Sequence, residues 1–214
     1  TATWRYEDDS AGGIVYAGDY IRQDIQAGGA TIQLYYGRKH QAVMEQAGAA
    51  DAVRAVVDYC TEHYGKLSYG TGDTLKLIQS RVAGGGYATT GASLLDEADF
   101  TAANLGNAEK DGGAGEVMIH ELVHQWWGLG NMFDTSDSTS PWSAEGLTVY
   151  TTYRIVKELY GADYAREYYV DQWQQAVDDY YLNYYVRHPE YLEMLPENEQ
   201  LAISNSLSQV RQYN

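Results

Sequence analysis

Residues 120–128 read His-Glu-Leu-Val-His-Gln-Trp-Trp-Gly, and the prediction of the fold and of the site starts from this stretch. His120 and His124 are four positions apart, so on a helix they lie on one face and both imidazoles can reach one tetrahedral ion. Glu121 is rotated from His120 by about 100° around the helix axis, which places its carboxylate beside such an ion. The pattern predicts a zinc site with two histidine ligands and a neighbouring general base.

A carboxylate placed as Glu121 is can take a proton from a water molecule on the metal and later pass it to a leaving amine. The alternative is a buried, hydrogen-bonded histidine pair on an amphipathic helix. Glu121 would then be a carboxylate beside the apolar Ile119, Leu122 and Val123, at a cost of several kcal/mol unless it were paired. We therefore expect a metal site.

A catalytic zinc site needs a third protein ligand, and two histidines with one glutamate are a common set. Glu145 opens the helical pattern Trp-Ser-Ala-Glu-Gly-Leu at 142–147, and 20 residues separate it from His124. Asp134 and Asp137 compete for this role, but both fall in a polar loop and not on a periodic element. We predict that Glu145 completes the site.

The remaining periodicity predicts an α+β fold in two parts that form one catalytic unit, a mixed β/α lobe over 1–112 and a helical lobe over 113–214. The first part has strands predicted at 31–36 and 75–80, a helix at 41–64, and an extended segment from the glycines at 84–86 to residue 95. The second part has helices predicted at 114–127, 144–160, 162–185 and from 197 onward. Tyrosines at 180, 181, 184 and 185 follow Trp173 at helical spacing, which indicates a stripe buried in the core or between lobes.

The composition argues against several classes of protein. A net charge of -16, from 30 acidic and 14 basic residues, repels phosphate backbones and anionic head groups, so we expect no nucleic-acid partner. No apolar run approaches the ~20 residues of a membrane span. The single Cys60 lies on the apolar stripe of its predicted helix and is expected to be a core residue. The chain starts at Thr1 and ends at Asn214 without a terminal signal, so we expect it to be a piece of a longer polypeptide.

The stretch at 120–128, followed by Trp-x-x-Glu-Gly-Leu-x-x-Tyr at 142–150, resembles the gluzincin metallopeptidases of the aminopeptidase N type. Residues 75–100 are similar to the strand, Gly-rich edge segment and following strand that precede the zinc helix in that family. The resemblance covers about residues 30–160. It implies a thermolysin-like domain with a β-sheet lobe over the zinc helix and a helical lobe below. It also implies that a substrate peptide lies along the edge strand at Gly85, Gly86, Tyr87 and Ala88.

The chain departs from the family pattern in the spacing of its ligands and in its edge strand. The family usually places a slightly shorter spacer between the second histidine and the glutamate, and a short loop insertion explains the 20 residues here. The edge strand in the family carries a glutamate that holds the free amine of the substrate. Residues 85–89 contain no carboxylate, which argues against strict exopeptidase specificity.

The family also uses a tyrosine, well beyond the zinc-binding glutamate, to donate a hydrogen bond to the oxyanion. Tyr213, 68 residues beyond Glu145, is the first candidate for this role, and Tyr191 is the second.

Two functions follow from these features. The first is a zinc-dependent peptidase that acts on peptide substrates. The second is a zinc-containing peptide-binding or sensor module of a larger membrane protein, with little or no turnover. Similar domains occur as extracytoplasmic parts of bacterial membrane permeases, so the resemblance implies an extracytoplasmic location and a membrane-anchored parent. Glu121 favours the enzyme, because a module that only binds peptides needs no general base.

Overall fold

The computed structural model describes residues 15–67, 74–81, 85–99, 101–131 and 142–213. Their central element is a five-stranded mixed sheet with the strand order β1-β2-β3-β5-β4. The strands are β1 (Tyr20–Ala27), β2 (Ala30–Gly37), β3 (Thr74–Ser80), β4 (Gly86–Thr89) and β5 (Ala92–Asp96). β2, β3 and β5 run parallel, whereas β1 and β4 pair antiparallel with their neighbours and form the two edges.

Both predicted strands are confirmed as β2 and β3. In β2, Ala30, Ile32, Leu34 and Tyr36 are buried and the residues between them are partly exposed, which is the alternation of a strand with one covered face. The predicted extended segment up to residue 95 is a hairpin and not one strand. Its chain reverses at Gly91, whose φ of +75° is the left-handed conformation that glycine adopts without steric cost.

The bounds of the helices are α1 (Gln41–Gln46), α2 (Ala49–Tyr64), α3 (Ala102–Leu105), α4 (Ala114–Val123), α5 (Leu147–Tyr160), α6 (Ala162–Ala165), α7 (Asp171–Leu182), α8 (Tyr184–Arg187), α9 (Pro189–Leu192) and α10 (Glu197–Tyr213). The helix predicted from residue 197 onward is confirmed as α10, whereas the helices predicted over 41–64, 114–127 and 162–185 are shorter or divided. The single helix predicted over 41–64 is wrong, because Gly48 adopts a φ of +65° and separates α1 from α2. The helix predicted over 162–185 is interrupted by a π-helical turn (Arg166–Val170) and ends where Asn183 caps α8.

One hydrophobic core joins the sheet to the helices on both sides of residue 112. It includes Val53, Val56 and Cys60 of α2 and Ile119 and Leu122 of α4. Cys60 is fully buried, as predicted. The fold class predicted from the sequence, α+β with a mixed sheet, is confirmed.

The tyrosine stripe predicted for the core is wrong. α7 buries none of its residues, and the side chains of Tyr181 and Tyr184 are 67% and 55% exposed. Within the described ranges, none of the helices is both long and apolar enough to cross a membrane.

Candidate metal centre

Helix α4 holds His120 in its last turn and is followed directly by His124 at its C-cap, and it packs against β4, β5, α2 and α5. Its apolar residues Met118, Ile119, Leu122 and Val123 are all at most 1% exposed. This burial fixes the rotation of the helix about its axis, because these residues occupy the sides that face the sheet and the neighbouring helices. The remaining face, with His120 and its neighbours, opens into a cavity.

The three predicted ligands converge on one point. Oε2 of Glu145 lies 3.3 Å from Nε2 of His120 and 3.4 Å from Nε2 of His124. One ligand atom from each residue lies within 4.8 Å of the others. Glu145 comes from a π-helical turn (Trp142–Gly146) that leads directly into α5, so the packing of α5 on α4 delivers the carboxylate. The competing candidates Asp134 and Asp137 lie outside the described residues.

The chemistry of this donor set suits a zinc ion. Burial opposes ionisation of Glu145, but hydrogen bonds to His120 and His124 prevail and lower its pKa to about 2. Burial likewise opposes protonation of His120, yet the carboxylates of Glu145 and Glu116 raise its pKa above the ordinary value. Both shifts arise from the attraction between the ionised Glu145 carboxylate and the imidazoles. Two imidazoles and one ionised carboxylate fit zinc.

The outer nitrogens of the two imidazoles also have partners. Nδ1 of His124 lies 3.1 Å from the carbonyl oxygen of Trp127 and 3.3 Å from Oγ1 of Thr148. Donation to that carbonyl holds the proton on Nδ1 and leaves Nε2 available to a metal. Nδ1 of His120 lies 3.9 Å from Oε1 of Glu116, which is 6% exposed. Burial raises the pKa of Glu116 to about 7.

Glu121 lies directly beneath the edge strand β4. A Cβ atom built on Gly86 would be 2.4 Å from Cγ and 2.8 Å from Cδ of Glu121, so only glycine allows this approach. The Glu121 side chain is 8% exposed, and this burial raises its pKa. Glu121 faces two cavities, one of about 320 Å³ on the side of Glu145 and one of about 210 Å³ on the side of Glu116.

The predicted substrate-binding residues lie at the larger cavity with one exception. Gly86, Tyr87 and Ala88 line it together with the metal-site residues, whereas Gly85 does not. Tyr87 is 58% exposed. Among the described residues that line this cavity, Glu121 and Glu145 are the only carboxylates.

The described residues place neither candidate for the oxyanion tyrosine at the site. Tyr191 lies in α9, where its ring stacks on Tyr184 at 5.7 Å, and it is not among the described residues that line either cavity. Tyr213 is the last residue of α10, and its side chain lies outside the described residues. Its role therefore stays a prediction.

Two buried polar residues at the site were missed from the sequence. Gln125, 1% exposed, and Ser93, fully buried, join α4 to the β4–β5 hairpin by hydrogen bonds. The sequence signal that could have identified Gln125 is its position, since it is a single amide side chain between His124 and two tryptophans. The tryptophans themselves anchor the end of the helix, since Trp126 Nε1 donates to the carbonyl oxygen of Gly65 and Trp127 Nε1 donates to Oγ1 of Thr151.

With this geometry established, comparison with known proteins gives the family. The model of the peptidase family M1 domain matches residues 49–200, well over half of the 214-residue chain. The chain belongs to peptidase family M1. This is a family of zinc-dependent peptidases, and the gluzincin resemblance noted in the sequence is thereby confirmed. No curated protein matches the sequence closely enough to count as a relative.

Solved structures of the family share the fold. Yeast LTA4 hydrolase in complex with bestatin superposes with a TM-score of 0.56 at 16% identity, over 78% of this chain and 24% of that one. Legionella pneumophila aminopeptidase A in complex with aspartic acid gives a TM-score of 0.52 at 18% identity, over 67% and 17% of the two chains. This M1 domain thus spans a quarter or less of the length of these structures. Its thermolysin-like fold, predicted from the motifs, is confirmed.

Proposed function

We propose that this M1 domain is the catalytic part of a zinc-dependent peptidase, with zinc held by His120, His124 and Glu145. One observation carries the proposal: the three ligand atoms converge beside a buried general base, Glu121, directly beneath an exposed sheet edge. Zinc in such a site lowers the pKa of a coordinated water and polarises a carbonyl group.

Glu121 supplies the proton transfers. Its carboxylate accepts a proton from the attacking water and delivers it to the nitrogen of the leaving amine, so a neutral amine departs. The raised pKa suits this exchange, because a base that titrates closer to neutral pH both accepts and returns a proton more readily. Burial of the carboxylate against Gly86 keeps it in place between the two transfers.

The edge strand β4 supplies the binding surface for the peptide. Among the described strands, β4 pairs only with β5, so the main-chain groups on its other side can pair with an extended peptide. Such pairing recognises main-chain N–H and C=O groups along the peptide and does not require a free amino terminus. The stretch 85–89, which the family resemblance matches to the segment with the amine-holding glutamate, contains no carboxylate. We therefore propose peptide substrates without an obligatory free amino terminus.

The sensor module is the second candidate, and the same missing carboxylate favours it. A domain that binds peptide segments of a larger, membrane-anchored parent outside the cytoplasm has no need to select free termini. The two candidates differ in whether Glu121 is used in turnover, since both retain the three zinc ligands.

A pair of substitutions in the full polypeptide that contains this domain separates the candidates. Glu121→Gln keeps the shape of the side chain but removes the base, so we expect one zinc per chain and a loss of turnover of about 10²–10⁴-fold on a peptide library. His124→Ala removes a ligand and should release zinc during dialysis against a chelator. Stoichiometric zinc in His124→Ala after that dialysis contradicts the ligand assignment. A folded, zinc-loaded wild type that cleaves no peptide favours the sensor.

A further inference from the structure

The amide side chain of Gln125, two residues beyond the end of α4, connects the end of the zinc helix to the turn of the β4–β5 hairpin. Its Oε1 accepts a hydrogen bond from the N–H of Gly91 at 3.0 Å, and its Nε2 donates to the carbonyl oxygen of Thr89 at 2.9 Å. Nε2 also lies 3.2 Å from Oγ of Ser93. With 1% exposure, the side chain makes these bonds out of reach of competing water, where a lost partner is costly.

Ser93 continues the connection to the general base. Its hydroxyl donates to the main-chain carbonyl oxygen of Glu121 at 2.7 Å, and the serine is fully buried. The chain of contacts thus runs from the hairpin turn through Gln125 and Ser93 to the backbone of Glu121. Gly86 lies at the opposite end of β4, where the strand approaches the Glu121 side chain.

β4 needs this support because it has four residues and, in the part of the chain that the structure describes, pairs on one side only, with β5. The groups that Gln125 uses, at Thr89 and Gly91, belong to the end and the turn of the hairpin. The outward side of β4 is therefore left for a peptide.

We propose that Gln125 and Ser93 form a clamp that fixes β4 at a set distance above Glu121, and that Gln125 is a positioning residue for the peptide. The positioning role of Gln125 depends on the proposed peptidase function. A peptide paired with β4 moves with the strand, so any shift of β4 shifts the scissile carbonyl relative to Glu121. A misplacement of about 1 Å costs on the order of 100-fold in rate.

The test compares Gln125→Met with Gln79→Met in the full polypeptide. Methionine replaces glutamine at similar volume and removes its hydrogen bonds. Gln79 is a matched control because it is also buried, at 3% exposure, and its Oε1 accepts the N–H of Gly37 at 2.6 Å, away from the hairpin. Ser93→Ala is the second clamp variant and covers the case in which Gln125→Met does not fold.

Each variant is assayed on an extended peptide that can pair with β4 and on a single-residue chromogenic amide that cannot. For Gln125→Met we expect kcat/KM to fall about 100-fold on the peptide but no more than about threefold on the amide. Ser93→Ala should shift the same ratio by about tenfold, and Gln79→Met should leave it unchanged. Zinc content should stay at one per chain in all three.

A purely structural loss lowers both activities together, so an unchanged ratio of peptide to amide activity in the clamp variants overturns the proposal. The rate of amide hydrogen exchange at residues 86–92 is a second measurement of hairpin stability, and it does not depend on catalytic activity. Faster exchange there in Gln125→Met than in Gln79→Met supports the clamp, and equal exchange overturns it. If the zinc-loaded wild type cleaves neither substrate, the proposed peptidase function fails, and hydrogen exchange alone decides the clamp.

Discussion

Replacing Gly86 by alanine tests the contact between the edge strand and Glu121, the proposed general base. The new Cβ would be 2.4 Å from Cγ of Glu121 and 2.8 Å from Cγ1 of Val117. Carbon atoms in contact lie about 3.5–4.0 Å apart, so the strand or the carboxylate must move by about 1 Å or more. The φ of Gly86 is not in the left-handed region, so alanine adds no backbone strain there and its cost comes from the steric collision.

A displacement of about 1 Å between base and substrate corresponds to a loss on the order of 100-fold in kcat/KM, or about 2.7 kcal/mol in the activation free energy. We expect this loss in Gly86→Ala with zinc still bound at one per chain, because the atoms nearest to the new Cβ belong to Glu121 and Val117 and not to the three ligands. The assay measures kcat/KM on an extended peptide and zinc by elemental analysis of the same sample.

Gly48→Ala is the control for the general cost of losing a glycine. Gly48 has a φ of +65° and no atom within 4 Å of its Cβ position, so alanine there strains the backbone by roughly 1–2 kcal/mol without a collision. It should lower the melting temperature and leave kcat/KM unchanged. If Gly86→Ala keeps its activity within about threefold of the wild type, the close packing of β4 on Glu121 does not position the base, and the reasoning fails.

Two further predictions concern the metal and the substrate. Removing zinc with a chelator should lower the melting temperature by about 5–10 °C, the loss expected for an ion present at about 100 times its dissociation constant, while the far-ultraviolet helical signal persists. Complete loss of that signal would show that the metal holds the fold together. Peptides with free and acetylated amino termini should be cleaved within about tenfold of each other, roughly 1.4 kcal/mol, because Ala88 and its neighbours on β4 offer no carboxylate to pair with an ammonium group. A thousandfold preference for the free amine would show that another acidic residue holds the amine in place of the carboxylate missing from β4.

The helices show where periodicity predicts structure and where it does not. Apolar spacing identified every long helical region, since burial of one face is a local property of the sequence. It did not place the break at Gly48 or the π-helical turn at 166–170, because a change of hydrogen-bond pattern within a helix leaves the apolar spacing almost unaltered. Tyr181 and Tyr184 have the spacing of a buried stripe, yet they are 67% and 55% exposed, and only the arrangement of the neighbouring described elements decides this.

The sequence by itself determined the family, the α+β class and the residues that meet at the metal site. Those features are carried by two short motifs, in which helical geometry brings His120 and His124 together and the pattern around residue 145 identifies the third ligand. Tertiary structure alone decided how the edge strand meets the base. The contacts of Gly86 with Glu121 and of Gln125 with the hairpin turn join residues more than 30 positions apart. No periodic pattern encodes such pairs, because they depend on how the hairpin packs on the helix after each has formed.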